Sequence, residues 1–185
     1  MKCFATIVLV LALAAGSWVS PNAAAAATAA EIDRDVKRAL ETLYAGSASA
    51  KAMGEKAKGI LVFPSIVKGG FLVGGQYGEG ALLKSGETSG YYKTVQISYG
   101  LQAGLQKYGY VLFFMTDSAI DWLDKSEGWE VGVGPSIVVV DEGMAGAMTT
   151  TTAKEDIYAF FFGQKGLMAG LGLQGTKITR IVPDE

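Results

Sequence analysis

The 185 residues contain no histidine and a single cysteine, Cys3. Without imidazole there is no Ser-His or Cys-His dyad, and most nitrogen and sulfur ligands for soft metals are missing as well. Serines such as Ser65, Ser98 and Ser136 therefore lack a histidine base, which leaves only lysine-assisted serine chemistry formally open. Cys3 precedes the apolar run from Phe4 to Ala15, whereas a lipoprotein attachment cysteine would follow it, so lipidation is not expected. After that run, no uninterrupted apolar stretch approaches the ~20 residues needed to span a bilayer. The sequence predicts no catalytic residue, no metal site and no cofactor. Asp117, Asp121 and Asp124 share one helical neighbourhood and are the hard-cation candidate, but such carboxylates more commonly form a solvated helix face.

The N-terminus has the layout of an export signal. Lys2 gives a positive start, Phe4 to Ala15 an apolar run, and Ala23 to Ala25 an Ala-x-Ala-type cleavage site. Residues 1–25 are read as a signal peptide, 26–30 as a flexible Ala-rich start, and 31–185 as one domain. The exported chain, without Cys3, is expected in the periplasm or peripherally on the envelope. Its roughly 160 residues can bury an adequate core without disulfides.

Glycine is plentiful, at 25 residues. The stretch Lys68 to Gly78 returns in outline at Lys165 to Gly175, with Lys165, Gly166, Gly172 and Gly175 falling on Lys68, Gly69, Gly75 and Gly78. Gly100 to Gly104 matches Gly166 to Gly170 in four of five residues. Glycine within a strand marks a bulge, a bend or close approach of another backbone, so Gly75, Gly104, Gly170 and Gly172 are expected to be structural. A dinucleotide loop does not fit, because Gly75 to Gly80 spaces as Gly-x-x-Gly-x-Gly and no helix can follow it.

Periodicity supplies the elements. Ile32, Val36, Leu40, Leu43 and Tyr44 predict an amphipathic helix ending near Gly46, and Ser47 or Ser49 caps a second helix to about Lys58. These helices either pack as a lid on the sheet or face a membrane. Strands are expected at Ile60 to Phe63, closed by Pro64, and at Phe71 to Leu83, with a turn over residues 84–90. Further strands are expected at Tyr91 to Tyr99, Leu101 to Leu105, Tyr110 to Met115, Trp129 to Gly134, Ser136 to Val140, Ile157 to Phe162 and Ile178 to Val182. A helix from Thr116 to Asp124 buries Ile120 and either Trp122 or Leu123. The fold class is α+β, a strongly curved, barrel-like antiparallel sheet carrying N-terminal helices and one mid-chain helix.

Charge is unevenly spread. Residues 34–107 carry ten Lys/Arg against five Asp/Glu, whereas residues 108–185 carry five against eleven. A chain of net charge −2 thus has a basic first half, which suggests an oriented anionic partner. Arg34, Lys37, Arg38, Lys51, Lys56, Lys58 and Lys68 are the candidate contacts. Nucleic acid is not expected, given the total charge and the expected compartment.

Four ordered blocks, Ala57 to Pro64, Lys68 to Gly75, Ser98 to Gly104 and Phe162 to Gly175, are similar to the signature blocks of the SYLF domain. The resemblance covers about residues 31 to 182. It implies a non-catalytic module that binds anionic phospholipids of the phosphoinositide or phosphatidic acid type. The expected mode is peripheral docking through the basic N-terminal helices and a loop around Lys68. Actin is not expected as a partner, because no SH3 segment accompanies the blocks. The other reading is a structural envelope protein that recruits a protein partner or associates with itself.

Overall fold

The computed structural model describes residues 27–71, 73–99, 104–126, 128–140, 154–165 and 173–184; the expected export signal lies outside them. Helix α1 spans Ala29–Gly46 and α2 Ala48–Gly54. Strands β1 (Gly59–Phe71), β2 (Val73–Lys84), β3 (Glu87–Tyr99) and β4 (Gly104–Phe114) follow, then α3 (Asp117–Lys125). The chain closes with β5 (Trp129–Glu130), β6 (Ile137–Val140), β7 (Ile157–Lys165) and β8 (Lys177–Ile181). The eight strands form one sheet in the order β5-β8-β3-β2-β1-β4-β7-β6, antiparallel except where β6 runs parallel to β7. The sheet is strongly curled into a half-barrel with α1 packed on it, which is the expected α+β architecture.

Side-chain contacts across the curl show which face is concave. Phe114 of β4 lies 6.2 Å, ring to ring, from Trp129 of β5, although four strands separate them in the sheet. Tyr110 donates to Thr94 Oγ1 at 2.7 Å over two intervening strands. The concave core gathers Leu61, Phe63, Leu82, Tyr92 and Leu112 with Ile120 and Leu123 of α3. On the outer face, α1 lays Ile32, Val36, Ala39, Leu40 and Leu43 over Val62, Ala81, Val111, Phe113 and Phe160, and Ala50 and Met53 of α2 join them. The lid alternative therefore describes both N-terminal helices.

Local chemistry fixes the ends. Thr28 and Glu31 form a capping box on α1, so Ala29 and Ala30 are its first turn rather than a flexible lead-in. Ser47 accepts from Ala50 N and starts α2, which stops at Gly54, short of the expected Lys58. At Gly54 a Cβ would collide with the Tyr44 hydroxyl, so this helix end is wedged against α1. Ser85 and Gly86 both adopt positive φ and join β2 to β3 as a two-residue turn, tighter than the expected turn over residues 84–90.

The main departure from expectation lies at Pro64. The strand does not end there: β1 continues to Phe71, and its pairings with β2 and β4 both shift register around Pro64. Proline cannot donate to a ladder and in a central strand is accommodated at a bulge. The bulge pushes the Val62 carbonyl over Gly80, and the Pro64 carbonyl to within 2.9 Å of where a Cβ on Gly109 would lie. Gly109 lies within a continuous β4 and not between two separate strands. The strand expected from Trp129 to Gly134 is paired only at Trp129 and Glu130. On α3, Leu123 is buried and Trp122 is exposed.

Candidate functional site

The residues with an expected anionic partner do not form one patch. Arg34, Lys37 and Arg38 occupy the side of α1 opposite its buried stripe and are exposed. Asp35 Oδ1 lies 3.3 Å from Arg34 Nε and 3.7 Å from Arg38 Nη1. Exposed pairs of this kind contribute at most about 1 kcal/mol, so they leave both guanidiniums available to a competing anion. Lys51 on α2 and Lys56 and Lys58 beyond it are also exposed, and among the described residues no carboxylate forms a salt bridge with them. The Lys58 backbone N–H donates to the Phe114 carbonyl at 2.8 Å, which anchors this segment at the far end of β4.

Lys68 is not in a loop. It is a half-buried residue of β1, opposite Gln76 and Gln106. At about 3.3 Å per residue it stands about 30 Å along the strand from Lys58. The β1–β2 pairing continues past it to Phe71 and Val73.

A cleft of about 920 Å³ opens between α1, the β2–β3 turn and the end of β8, lined by Arg34, Lys37 and Arg180 together with Asp33, Glu87 and Tyr91. Asp33 is occupied structurally, accepting from Thr88 Oγ1 at 2.8 Å and from the Tyr91 hydroxyl at 3.0 Å. Burial, and then the Asp33 hydrogen bond, push the Tyr91 phenol up. Arg180 donates to the Ser89 carbonyl at 3.3 Å. Its place in this cleft has no sequence signal, because only the pairing of β8 with β3 brings it beside Gly90 at the rim.

Inside the curl, buried hydroxyls and an amide satisfy one another. Tyr108 donates to Gln76 Oε1 at 2.6 Å, and Gln76 Nε2 reaches Thr176 Oγ1 at 3.5 Å. Burial pushes the Tyr108 phenol up to about 12 and raises Tyr110 further. Phenols held this high stay protonated and act as fixed donors across the curl. Two of the three carboxylates of α3 have basic partners: Asp121 pairs with Lys125 at 3.5 Å, and Asp124 with Lys84 at 3.0 Å and the Tyr92 hydroxyl at 3.2 Å. Among the described residues no cluster of three or more carboxylates, cysteines or histidines is placed to hold a metal ion, and no helix is long and apolar enough to cross a membrane.

The glycine copies differ in structure. Gly78 is within β2, whereas Gly175 has a positive φ in the turn before β8. Gly104 opens β4 at a φ of 150°, a conformation that favours glycine. Gly170 and Gly172, and the block Gly100 to Ala103, lie outside the described residues.

No curated protein matches the chain. Residues 95–181 match the family described as Ysc84, Las17-binding protein actin regulator. The match begins within β3 and ends with β8, and β1 and β2, which precede it in sequence, lie between β3 and β4 in the sheet. Residues 95–181, slightly under half of the chain, are thus similar to the Ysc84/SYLF domain, a family associated with lipid and actin binding.

Proposed function

We propose that this chain is a non-catalytic module that, after export, docks peripherally on anionic phospholipid of the phosphatidic acid or phosphoinositide type. The observation that carries the reading is the outward side of α1 and the α2 segment. Between Arg34 and Lys58 the chain presents six cations, Arg34, Lys37, Arg38, Lys51, Lys56 and Lys58, against the three carboxylates Asp35, Glu41 and Glu55. The apolar stripe of α1 is already buried on the sheet, so this side meets headgroups by charge and not by insertion. Each basic side chain near an anionic membrane contributes about 1 kcal/mol.

The test is co-sedimentation with vesicles containing phosphatidic acid. Changing Lys51, Lys56 and Lys58 together to Glu leaves the buried Ala50 and Met53 untouched, so the fold should survive, as circular dichroism can verify. Loss of three such contributions weakens binding about a hundredfold, and charge reversal weakens it further. Undiminished binding by the folded triple variant overturns this placement of the basic surface.

A further inference from the structure

Beyond the N-terminus of α1, the outer face of the sheet carries exposed apolar side chains. Cross-strand register lines up Lys177, Val95, Tyr77, Val67 and Lys107 in one rung, and Ile97, Gly75, Gly69 and Leu105 in the next. Ile97 is 65% exposed, Leu105 74%, Val73 54%, Tyr77 49% and Val67 47%. Single exposed apolar residues are ordinary, but five together at one end of a sheet form a patch of the kind that marks an interaction surface. The patch ends where α1 begins, because the Ala27 N–H donates to Glu79 Oε2 at 3.2 Å, one rung away from Tyr77.

Two features of the patch indicate its occupant. Lysines stand at both ends of the first rung, and Lys93 lies on the rung beside it, opposite Glu79. A second copy of the chain seated face to face would set lysine against lysine, whereas anionic headgroups complement them. The centre is also kept low. A Cβ on Gly75 would meet only the Gln96 carbonyl oxygen, at 3.9 Å, so no internal contact requires glycine at that position.

We propose that this end of the sheet is the membrane-inserting surface, with Ile97, Leu105, Val73, Tyr77 and Val67 entering the headgroup boundary of an anionic bilayer between Lys177 and Lys107. The inference rests on the lipid-binding reading above and adds the apolar contact that α1 cannot provide. Its signature differs from that of the helical lysines. Salt screens the charge contribution but leaves apolar insertion intact, so the patch supplies the salt-resistant part of binding.

The experiment uses the full chain and vesicles of phosphatidylcholine with and without phosphatidic acid. Ile97→Asp with Leu105→Asp is expected to weaken binding to the acidic vesicles roughly tenfold and to abolish its salt-resistant part. Ile97→Ser with Leu105→Ser, milder for folding, is expected to shift binding in the same direction. Ile97→Cys in a Cys3→Ser background, labelled with an environment-sensitive dye, is expected to shift its emission to the blue when acidic vesicles are added. If the wild-type chain binds these vesicles while the folded patch variants bind equally well and the dye is unmoved, the inference is overturned and the lipid reading stands. A wild-type dimer on gel filtration that the patch variants dissociate also overturns it, in favour of a second copy. Failure of the wild type to bind any vesicle removes the lipid reading itself, and this inference with it.

Discussion

Gly80 lies beneath the carbonyl that the Pro64 bulge forces outward, and Gly109 receives the same bulge from the other side. A methyl group at Gly80 has to displace the Val62 backbone. Gly80→Ala is therefore expected to lower unfolding stability by about 1–3 kcal/mol, the scale of overpacking, as measured by urea denaturation. Gly75→Val is expected to do the opposite or nothing, because its side chain enters open space and valine favours a strand by up to about 1 kcal/mol. Equal losses at both positions would contradict this division. The abundance of glycine and its place in strands are legible in the sequence. Which glycines face a bulge is not, because that depends on where Pro64 lands between two neighbouring strands, and a proline by itself reads as a strand end. Gly75, expected to be structural, has no steric reason to be glycine.

At the scale of elements, helices are the easier part to read. The stripe Ile32, Val36, Leu40 and Leu43 is buried as its spacing predicts, and Thr28 and Ser47 cap through local hydrogen bonds. Lys68 lies in a strand and not in the expected loop, since a glycine-rich strand and a glycine-rich loop look alike until a partner strand is known. Long-range ties also hold the parallel pairing of β6 with β7. Asp156, just before β7, accepts from Ser136 N and Oγ, each at 3.1 Å, and from Thr116 Oγ1 at 3.1 Å, joining the β6 start to the α3 cap. The Ser136 backbone N–H foremost, then its hydroxyl and that of Thr116, hold the Asp156 carboxyl below its ordinary range against the opposing effect of burial. A depressed folded-state pKa gives stability that is present above the unfolded value, about 3.9, and lost as pH falls through the folded value. Thermal melts across acid pH should therefore show the wild type losing stability below about pH 4, with part of that loss missing in Asp156→Asn. An identical acid limb in the two proteins would show that Asp156 gains nothing from these contacts.

Over the whole molecule, the cations of the N-terminal helices are strung along the outer side rather than gathered at a point. α1 is about 27 Å long at 1.5 Å per residue. Arg34, Lys37 and Arg38 lie along it, Lys51, Lys56 and Lys58 follow its C-terminal end, and the apolar rungs begin beyond its N-terminal end. Charge asymmetry is visible in the linear sequence, and so are the helical cations. The apolar rungs are not, because Val67, Tyr77, Ile97 and Leu105 come from four strands and become neighbours only through register. The arrival of Arg180 in the α1 cleft is hidden for the same reason.

The central claim is that an anionic lipid surface is the partner. It is tested most directly by measuring binding of the wild-type chain to vesicles across headgroups, from phosphatidylcholine to phosphatidylglycerol, cardiolipin and phosphatidic acid, at rising salt. The account predicts binding only where the headgroups are anionic, weakening as the Debye length shrinks from about 10 Å at 0.1 M to about 3 Å at 1 M. Binding that is equal on neutral and anionic vesicles, or absent from all of them, would contradict it.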